Sequence, residues 1–394
     1  MAGLSIDRAH QIRNRRPSPG RLQVSMKRAL TTLTAAVATT LVLLPVAAGA
    51  GATTSAARVA AVAPSLDNRF HQTNLVSDLA TVGAQVVDPN LKNPWGLAAS
   101  PTGALWVADN NGNVATVYSG AVAGSAISGP KLTVAIPGGA PTGQVYNPTD
   151  GFVVSSATGS GPARFIFSSE SGQLTGWSPA AGTATAQTAF TSPTAVYKGL
   201  AIARGRGGTL LFATNFHDGT VDVFNSRFQP ARAPFGFRDA ALPSGYAPFG
   251  IQENRGLLYV SYAQQNAERH DDVKGPGHGY IDIFTPDGLL VRRLASGGAL
   301  DSPWGMAVAP AGFGPFSGDL LVGNFGDGHI SVFGQFSGQF SGQLQDESHM
   351  PVTIDGLWGL RFGNASTGGA GTLLFSAGIN DEQDGLLGAQ NGAG

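Results

Sequence analysis

The stretch Asn93-Pro94-Trp95-Gly96-Leu97-Ala98, followed by Ala104-Leu105-Trp106-Val107-Ala108-Asp109-Asn110, sets the pattern of the whole chain. A turn leads into glycine and an apolar stretch, and a second turn leads into an apolar strand that ends in polar residues. Ser302-Pro303-Trp304-Gly305-Met306-Ala307 and Asp319-Leu320-Leu321-Val322-Gly323-Asn324 repeat the two halves. Weaker copies centre on four further glycines: Gly151, Gly199, Gly250 and Gly359. The six glycines are 48 to 55 residues apart, a period typical of β-propeller blades, so the pattern predicts an all-β, six-bladed propeller.

The composition agrees with an all-β body and excludes several classes of function. Apolar runs are short and alternate with abundant glycine (56) and proline (24), which favours strands over helices. The formal net charge of −1 gives no electrostatic reason to expect nucleic acid as a partner. The chain has no cysteine, which excludes disulfides, thiol catalysis and cysteine-ligated metals.

The N-terminal segment has the pattern of an export signal. Met26-Lys27-Arg28 is basic, 29–48 is apolar, and Ala48-Gly49-Ala50 fits a small-x-small cleavage site. We expect residues 1–25 either to precede the true initiator, Met26, or to be an unstructured leader. We expect 26–50 to be a signal peptide and 51–65 a flexible linker. An uncleaved membrane anchor is the alternative. Cleavage would release a secreted protein without a stable membrane anchor.

The remaining chain divides into the propeller, 66–388, and a short disordered tail, 389–394. The sixth blade has too few strands of its own. Phe70-His71-Gln72-Thr73-Asn74-Leu75-Val76 is apolar enough to supply the missing strand. We therefore expect an N-terminal strand to join the last blade and close the ring, which removes the exposed sheet edges.

Several motifs together resemble known propellers. They are Asn74-Leu75-Val76-Ser77-Asp78, Asn93-Pro94-Trp95-Gly96-Leu97, Val196-Tyr197-Lys198-Gly199-Leu200, Ala247-Pro248-Phe249-Gly250-Ile251, His270-Asp271-Asp272-Val273, Asp355-Gly356-Leu357-Trp358-Gly359-Leu360 and 378–386. The repeat resembles NHL-type propellers, and the wider set resembles a family of secreted bacterial six-bladed propellers. This resemblance implies export and a propeller fold. It implies no activity, because none is established for the family.

Polar side chains at the ends of second strands are the first candidates for a ligand site. They are Asp109, Asn110, Asn215, Asn324 and Asn380. Equivalent positions in a propeller tend to lie near one face of the channel, and carboxylate and amide oxygens are the ligands that Ca²⁺ takes. We therefore predict Asp109, Asn215 and Asn324 as ligands of Ca²⁺ or another divalent cation. The alternative is that these residues only cap strand ends and form Asx turns.

A charged insertion in blade four is the second candidate. His270 followed by Asp271 and Asp272 offers a general base or metal ligand with a carboxylate to orient it. The alternative is a solvated surface loop. His217 is a further candidate for ligand binding, although turn formation is the favoured explanation of His217-Asp218-Gly219. Trp95, Trp304 and Trp358 form either an aromatic rim for ligands or wedges between blades.

Two functions follow from these candidates. The first is a secreted binding or scaffold module that uses one face of the disc to hold a protein, a glycan or a small molecule. The second is a lactonase-like hydrolase or lyase that depends on a divalent metal in the channel. The sequence contains no Gly-x-Ser-x-Gly, phosphate-binding loop or His-Glu-x-x-His motif. These absences argue against a serine hydrolase, a nucleotide-binding protein and a zinc protease. Whether the protein is an enzyme stays open at this point.

Overall fold

The computed structural model describes residues 67–392, and these form a six-bladed β-propeller. The predicted leader, signal peptide and linker lie outside the described residues, as do residues 393 and 394. No helix within 67–392 is long and apolar enough to cross a membrane.

Twenty-eight strands and three single-turn 3₁₀ helices make up the described part of the chain. Two strands precede the first blade: β1 (Phe70–Ser77) and β2 (Val86–Val87). Blade one contains β3 (Pro94–Ala98), β4 (Leu105–Asp109), β5 (Val114–Gly120), β6 (Ile127–Ser128) and β7 (Thr133–Ala135). Blade two contains β8 (Pro141–Tyr146), the separate hairpin β9 (Val153–Ser156) and β10 (Gly159–Pro162), then β11 (Phe165–Ser169), β12 (Gln173–Trp177) and β13 (Gln187–Thr191).

The later blades are more regular. Blade three contains β14 (Tyr197–Gly205), β15 (Gly208–Asn215), β16 (Thr220–Phe224) and β17 (Pro230–Ala231). Blade four contains β18 (Tyr246–Asn254), β19 (Leu257–Gln264), β20 (Tyr280–Phe284) and β21 (Leu290–Ser296). Blade five contains β22 (Pro303–Val308), β23 (Leu320–Asn324), β24 (Ile330–Phe333) and β25 (Phe340–Gln343). Blade six contains β26 (Leu357–Phe362), β27 (Leu373–Ala377) and β28 (Leu386–Gly392). The 3₁₀ helices are Ala80–Val82, Pro179–Ala181 and Gly314–Phe316.

The second strand of each blade is buried on both faces because it lies between two strands of its own sheet and against both neighbouring blades. In β4, β11, β23 and β27 every residue is buried. This explains their continuous apolar sequences, since a strand covered on both faces shows no polar alternation. The apolar clusters that result lie between adjacent blades. One of them joins Leu258 and Val260 of blade four to Phe212 and Val223 of blade three.

The ring is closed by the two ends of the described chain, as the sequence predicted. β1 pairs antiparallel with β28, from Phe70 opposite Gly392 to Ser77 opposite Leu386. Because β28 runs to Gly392, the propeller extends four residues beyond the boundary predicted at 388. Ala389 and Gln390 are buried, so residues 389–392 form part of a strand and are not a tail.

A ring of glycines explains the sequence repeat. The first strand of each blade, here called its inner strand, contains one of these glycines. A Cβ atom added to that glycine would collide with the backbone of the next blade's inner strand. At Gly96 the added atom would lie 2.5 Å from Thr142 O and 3.0 Å from Gln144 N. The blade-two member is Gly143, so the prediction of Gly151 was wrong. The six positions are Gly96, Gly143, Gly199, Gly250, Gly305 and Gly359.

Hydroxyl groups connect several blades beside these glycines. Ser261 Oγ of β19 accepts from Gly250 N at 2.9 Å and donates to Pro303 O of blade five at 2.6 Å. Thr214 and Ser376 make the same pair of bonds in blades three and six. Each hydroxyl therefore satisfies a buried N–H of its own blade and a buried carbonyl of the next.

The three tryptophans of the repeat meet one another in a buried aromatic cluster. Trp358 stacks on Trp95, with ring centroids 3.5 Å apart, and on Phe325 at 3.8 Å. Trp304 packs edge-on against Trp95 and Trp358. Phe216 and Phe249 complete the cluster. These rings, all less than a tenth exposed, form neither an open rim nor wedges confined to single blade interfaces.

Candidate ligand site at the start of the inner strands

A cavity of about 430 Å³, here called the polar cavity, lies beside this aromatic cluster. Its walls come from the residues that begin the inner strands and from loops of blades one, two, four, five and six. They are Asn93, Trp95, Asn110, Asn111, Glu170, Lys198, His270, Asp271, Asp272, Lys274, Phe325, Trp358, Asp381, Glu382 and Gln383. The closed ring brings these residues together although they are spread over almost 300 positions of sequence.

Lys198 is a buried, charged residue of the polar cavity. Its side chain is 2% exposed, and its Nζ lies 2.5 Å from Glu170 Oε1 and 3.4 Å from Asp271 Oδ1. Nζ also lies 5.1 Å from the centroid of the Trp95 ring, within cation–π range. Burial opposes the charged form, but Glu170 and Asp271 outweigh it and raise the pKa of Lys198. Lys198 is therefore a buried ammonium held by two carboxylates.

The blade-four insertion brings a histidine–carboxylate pair to the same cavity. His270 Nδ1 lies 2.8 Å from Asp271 Oδ1, which leaves Nε2 available to a ligand. The loop is ordered by Asn266, whose Oδ1 accepts from His270 N, and by a β-bridge between Gln265 and Asp272. Burial acts to raise the pKa of Asp271, but Lys198 and His270 outweigh it, so that its pKa is lowered.

Two other carboxyl groups of the polar cavity tend toward the protonated form. Burial raises the pKa of Asp272 against the opposing effects of the Ser302 hydroxyl and Lys198. Burial also raises the pKa of Glu382, although Asn93 Nδ2 donates to Glu382 Oε2 at 2.9 Å. The cavity therefore contains two carboxylates paired with Lys198 and two carboxyl groups whose pKa values are raised by burial.

The loop that carries Glu382 has an unusual backbone. Asn380, Asp381 and Glu382 have φ angles of 56°, 52° and 64°, so three consecutive non-glycine residues occupy the left-handed region. Such residues cost of order 1–3 kcal/mol each when strained and cluster at ligand sites. Asn111 Nδ2 donates to Glu382 O at 2.6 Å, which ties this loop of blade six to blade one.

Glu170, His270 and Asp271 form a possible metal-binding triad, because they offer ligand atoms within 4.8 Å of one another. The donor atoms are already engaged, however. Glu170 Oε1 and Asp271 Oδ1 face the Lys198 ammonium, and Glu170 Oε2 accepts from Asn110 Nδ2 at 3.1 Å. A divalent cation would meet the Lys198 charge at this position, so the donor set fits a cation poorly while Lys198 is protonated.

The structure brings Asn110, His270, Asp271 and Asp272 to the polar cavity but distributes the other predicted residues elsewhere. Asp109, Asn215 and Asn324, the predicted metal ligands, are buried and do not line it. Asp109 accepts from Thr116, Asn215 donates to Asp218 and Asp222, and Asn324 donates to Ala299 O. His217 pairs with the neighbouring Asp218. Asn380 Nδ2 donates to Asp384 at 3.0 Å.

Sequence reasoning missed Glu170, Lys198 and Glu382. A signal did exist for Lys198, because it is the charged residue directly before a ring glycine in Val196-Tyr197-Lys198-Gly199-Leu200. A lysine in an apolar inner strand requires a carboxylate partner. Nothing in the sequence around Glu170 indicates that it supplies one.

The fold and this cavity define the protein as a six-bladed β-propeller with a candidate ligand site at the start of its inner strands. Comparison with known sequences identifies the family. The chain is 32% identical over 326 residues to "Uncharacterized protein R648" of Acanthamoeba polyphaga mimivirus, covering 80% of this chain and 78% of that one. It is 32% identical over 319 residues to "Uncharacterized protein L690" of the same virus, covering 77% and 80%. The chain belongs to the family of these proteins. They are viral, whereas the sequence motifs suggested a bacterial family.

No family model matches the chain. Solved structures resemble it distantly. Virginiamycin B lyase from Staphylococcus aureus has a TM-score of 0.40 and 13% identity, covering 82% of this chain and 99% of that one. A putative gluconolactonase has a TM-score of 0.40 and 17% identity, covering 61% and 78%. The soluble aldose sugar dehydrogenase of Escherichia coli has a TM-score of 0.48 and 13% identity, covering 82% and 99%.

Proposed function

We propose that this protein is a binding or scaffold module that holds a small, polar, uncharged ligand in the polar cavity. The observation that carries the proposal is the charge arrangement around Lys198. Its ammonium is paired with Glu170 and Asp271, and burial moves Asp272 and Glu382 toward their neutral forms. Because the Lys198 ammonium is already paired within the protein, it is not free to bind an anionic ligand, and hydroxyl and amide groups suit this part of the cavity better.

Unused hydrogen-bonding capacity supports the same proposal. Trp95 Nε1 is buried and lacks a hydrogen-bond partner among residues 67–392. A buried polar atom without a partner costs about 1–3 kcal/mol. A ligand with both donors and acceptors, such as a glycan or a small polyol, can remove that cost.

The test measures binding of a panel of methyl glycosides and cyclic polyols by saturation-transfer NMR. We expect at least one probe to bind with one-to-one stoichiometry, and Asp272→Ala to weaken that probe's binding at least tenfold. Asp150→Ala is the matched control, because the Asp150 side chain is 98% exposed. The proposal is wrong if no probe binds, or if the two variants bind equally.

A lactonase-like hydrolase or lyase is the second candidate, and the His270–Asp271 pair favours it. An imidazole oriented by a carboxylate is the arrangement of a general base, and carboxyl groups with raised pKa values are suited to donate a proton. Turnover of a lactone panel tests this candidate. We expect His270→Gln to abolish turnover while leaving the Asp272-dependent binding in place. Absence of turnover with every lactone would leave only the binding function.

Ca²⁺ or another divalent cation is the cofactor that the second candidate would require in its metal-dependent form. Isothermal titration with Ca²⁺ decides between the two functions. Tight binding that disappears in Glu170→Gln would establish a metal at the triad of Glu170, His270 and Asp271. If the protein is only a binding module, we expect no Ca²⁺ binding that depends on Glu170, because the Lys198 ammonium already occupies that position.

We further propose that the protein is exported, on the basis of the signal pattern in residues 26–50. Expression of the full sequence in a bacterial host, followed by mass spectrometry of the medium, tests this. The expected product begins close to residue 51. Retention in the cell with residues 26–50 still attached would contradict export.

A further inference from the structure

The C-terminal ends of the inner strands surround a second cavity, here called the channel mouth, of about 270 Å³. Its lining combines polar side chains, Gln144 and Gln252 among them, with aliphatic ones. Leu97, Val145, Leu200 and Ile251 contribute four aliphatic side chains from four blades. The channel mouth shares none of its lining residues with the polar cavity, so a ligand here would be independent of the function proposed above.

Arg361 of β26 is the cation of the channel mouth, and it has no counter-charge. Its Nη2 donates to Ala99 O at 3.3 Å. Within residues 67–392 no carboxylate lies in ion-pair distance of the guanidinium, which sets it apart from the paired Arg293 of blade four. Burial lowers the pKa of Arg361, and no acidic group acts in the opposite direction. A partly buried guanidinium without an anion is unfavourable, because the charge loses water without gaining a partner.

Glu253 is the acidic residue of this lining, and within residues 67–392 no ion pair joins it to Arg361. It lines the channel mouth, but its Oε1 accepts from Gly256 N at 2.7 Å, within its own turn. One carboxylate oxygen of Glu253 is therefore held in the β18–β19 turn, and the Arg361 guanidinium has no carboxylate partner within residues 67–392.

We propose that the channel mouth binds a monocarboxylate with an apolar body, with the carboxylate on Arg361. A guanidinium matches a carboxylate through two parallel N–H···O bonds, and the aliphatic side chains cover the remainder of the ligand. A cavity of about 150 Å³ accepts benzene, so 270 Å³ accommodates roughly ten to twelve non-hydrogen atoms on the same scale. Octanoate is a probe of this size.

The experiment compares octanoate with 1-octanol by isothermal titration calorimetry on the full chain. The two probes share an apolar chain, but only octanoate carries a charge. We expect one-to-one binding of octanoate, at least tenfold tighter than that of octanol. Equal affinity for the two probes, or no octanoate binding at millimolar concentration, overturns the proposal without any variant having to fold.

Substitution of Arg361 then tests whether octanoate binds at the channel mouth. Arg361→Met keeps most of the side-chain volume and removes the guanidinium, and we expect it to weaken octanoate at least tenfold while leaving octanol unchanged. Arg204→Met is the matched control, because Arg204 is exposed near the end of β14. Equal octanoate affinity in both variants overturns the assignment. Asp272→Ala, in the polar cavity, must leave octanoate binding unchanged, which keeps this test separate from that of the proposed function.

Discussion

Gly96→Ala tests the idea that the glycine ring sets how closely the blades approach. The added Cβ would lie 2.5 Å from Thr142 O and 3.0 Å from Gln144 N, whereas ordinary contacts begin near 3.4 Å. Both neighbours are backbone atoms of blade two, so no side-chain rotation relieves the collision. Overpacking of this kind costs about 1–3 kcal/mol, and we expect the upper end, about 3 kcal/mol. With an unfolding entropy of about 2 cal/mol/K per residue, a ring of roughly 320 residues then loses about 4 °C in Tm.

Gly207→Ala is the matched control for this measurement. Gly207 is exposed between β14 and β15, and an added Cβ there meets nothing within 4 Å. A Gly→Ala change at a compatible site stabilises by about 0.4–1 kcal/mol through the unfolded chain. Circular dichroism and guanidinium unfolding of both variants give the comparison. Equal stability of the two variants would refute the argument that backbone contact between blades requires glycine.

Three further predictions concern buried polar groups. Lys198→Met should lower the free energy of unfolding by about 3 kcal/mol in urea titrations, because breaking a buried ion pair leaves a carboxylate uncompensated. Lys131 is exposed, so Lys131→Met should change the free energy of unfolding little. Burial raises the pKa of Asp109 well above its ordinary value, so the folded state keeps this proton to a higher pH than the unfolded chain. The free energy of unfolding should fall as pH rises above about 4, by up to about 1.4 kcal/mol per pH unit. Asp109→Asn should remove this pH dependence, whereas Asp150→Asn, a substitution at an exposed side chain, should leave it in place. Ser261→Ala should cost about 1–2 kcal/mol by chemical denaturation, because it leaves one N–H and one carbonyl without their shared partner, and an unchanged midpoint would contradict the bridging role.

The architecture was predictable because its determinants are local. Each blade repeats a turn, an inner strand and a buried second strand within about 50 residues, so the number of blades can be counted from the chain. The closing strand was predictable because the last blade lacked a partner for its outer strand. Blade two was misplaced at Gly151, since its inner strand, Pro141-Thr142-Gly143, lacks the aromatic residue seen before several other ring glycines. The inserted hairpin of β9 and β10 further disturbs the spacing.

The site was only partly predictable because its geometry depends on the whole ring. Strand ends were expected to converge, yet Asn215 and Asn324 bond within or beside their own blades. The residues that do converge begin inner strands or lie in loops, and their positions depend on how each blade is rotated about the axis. The blade-four insertion was identified because a charged cluster in a chain with 12% charged residues is conspicuous. Glu170 carries no comparable signal.

The pairing of β1 with β28 has a consequence for the order in which the protein forms during synthesis. β1 leaves the ribosome before any blade, but its partner strand is the last of the described chain to be made. Blades one to five can form their own sheets while the edge of β1 that pairs with β28 is still unpaired, a condition that invites association with other chains. Ring closure is therefore a late step that joins residues more than 300 positions apart, and contacts of such long sequence separation form slowly. The nascent protein has to keep this edge of β1 available until β28 has been synthesised.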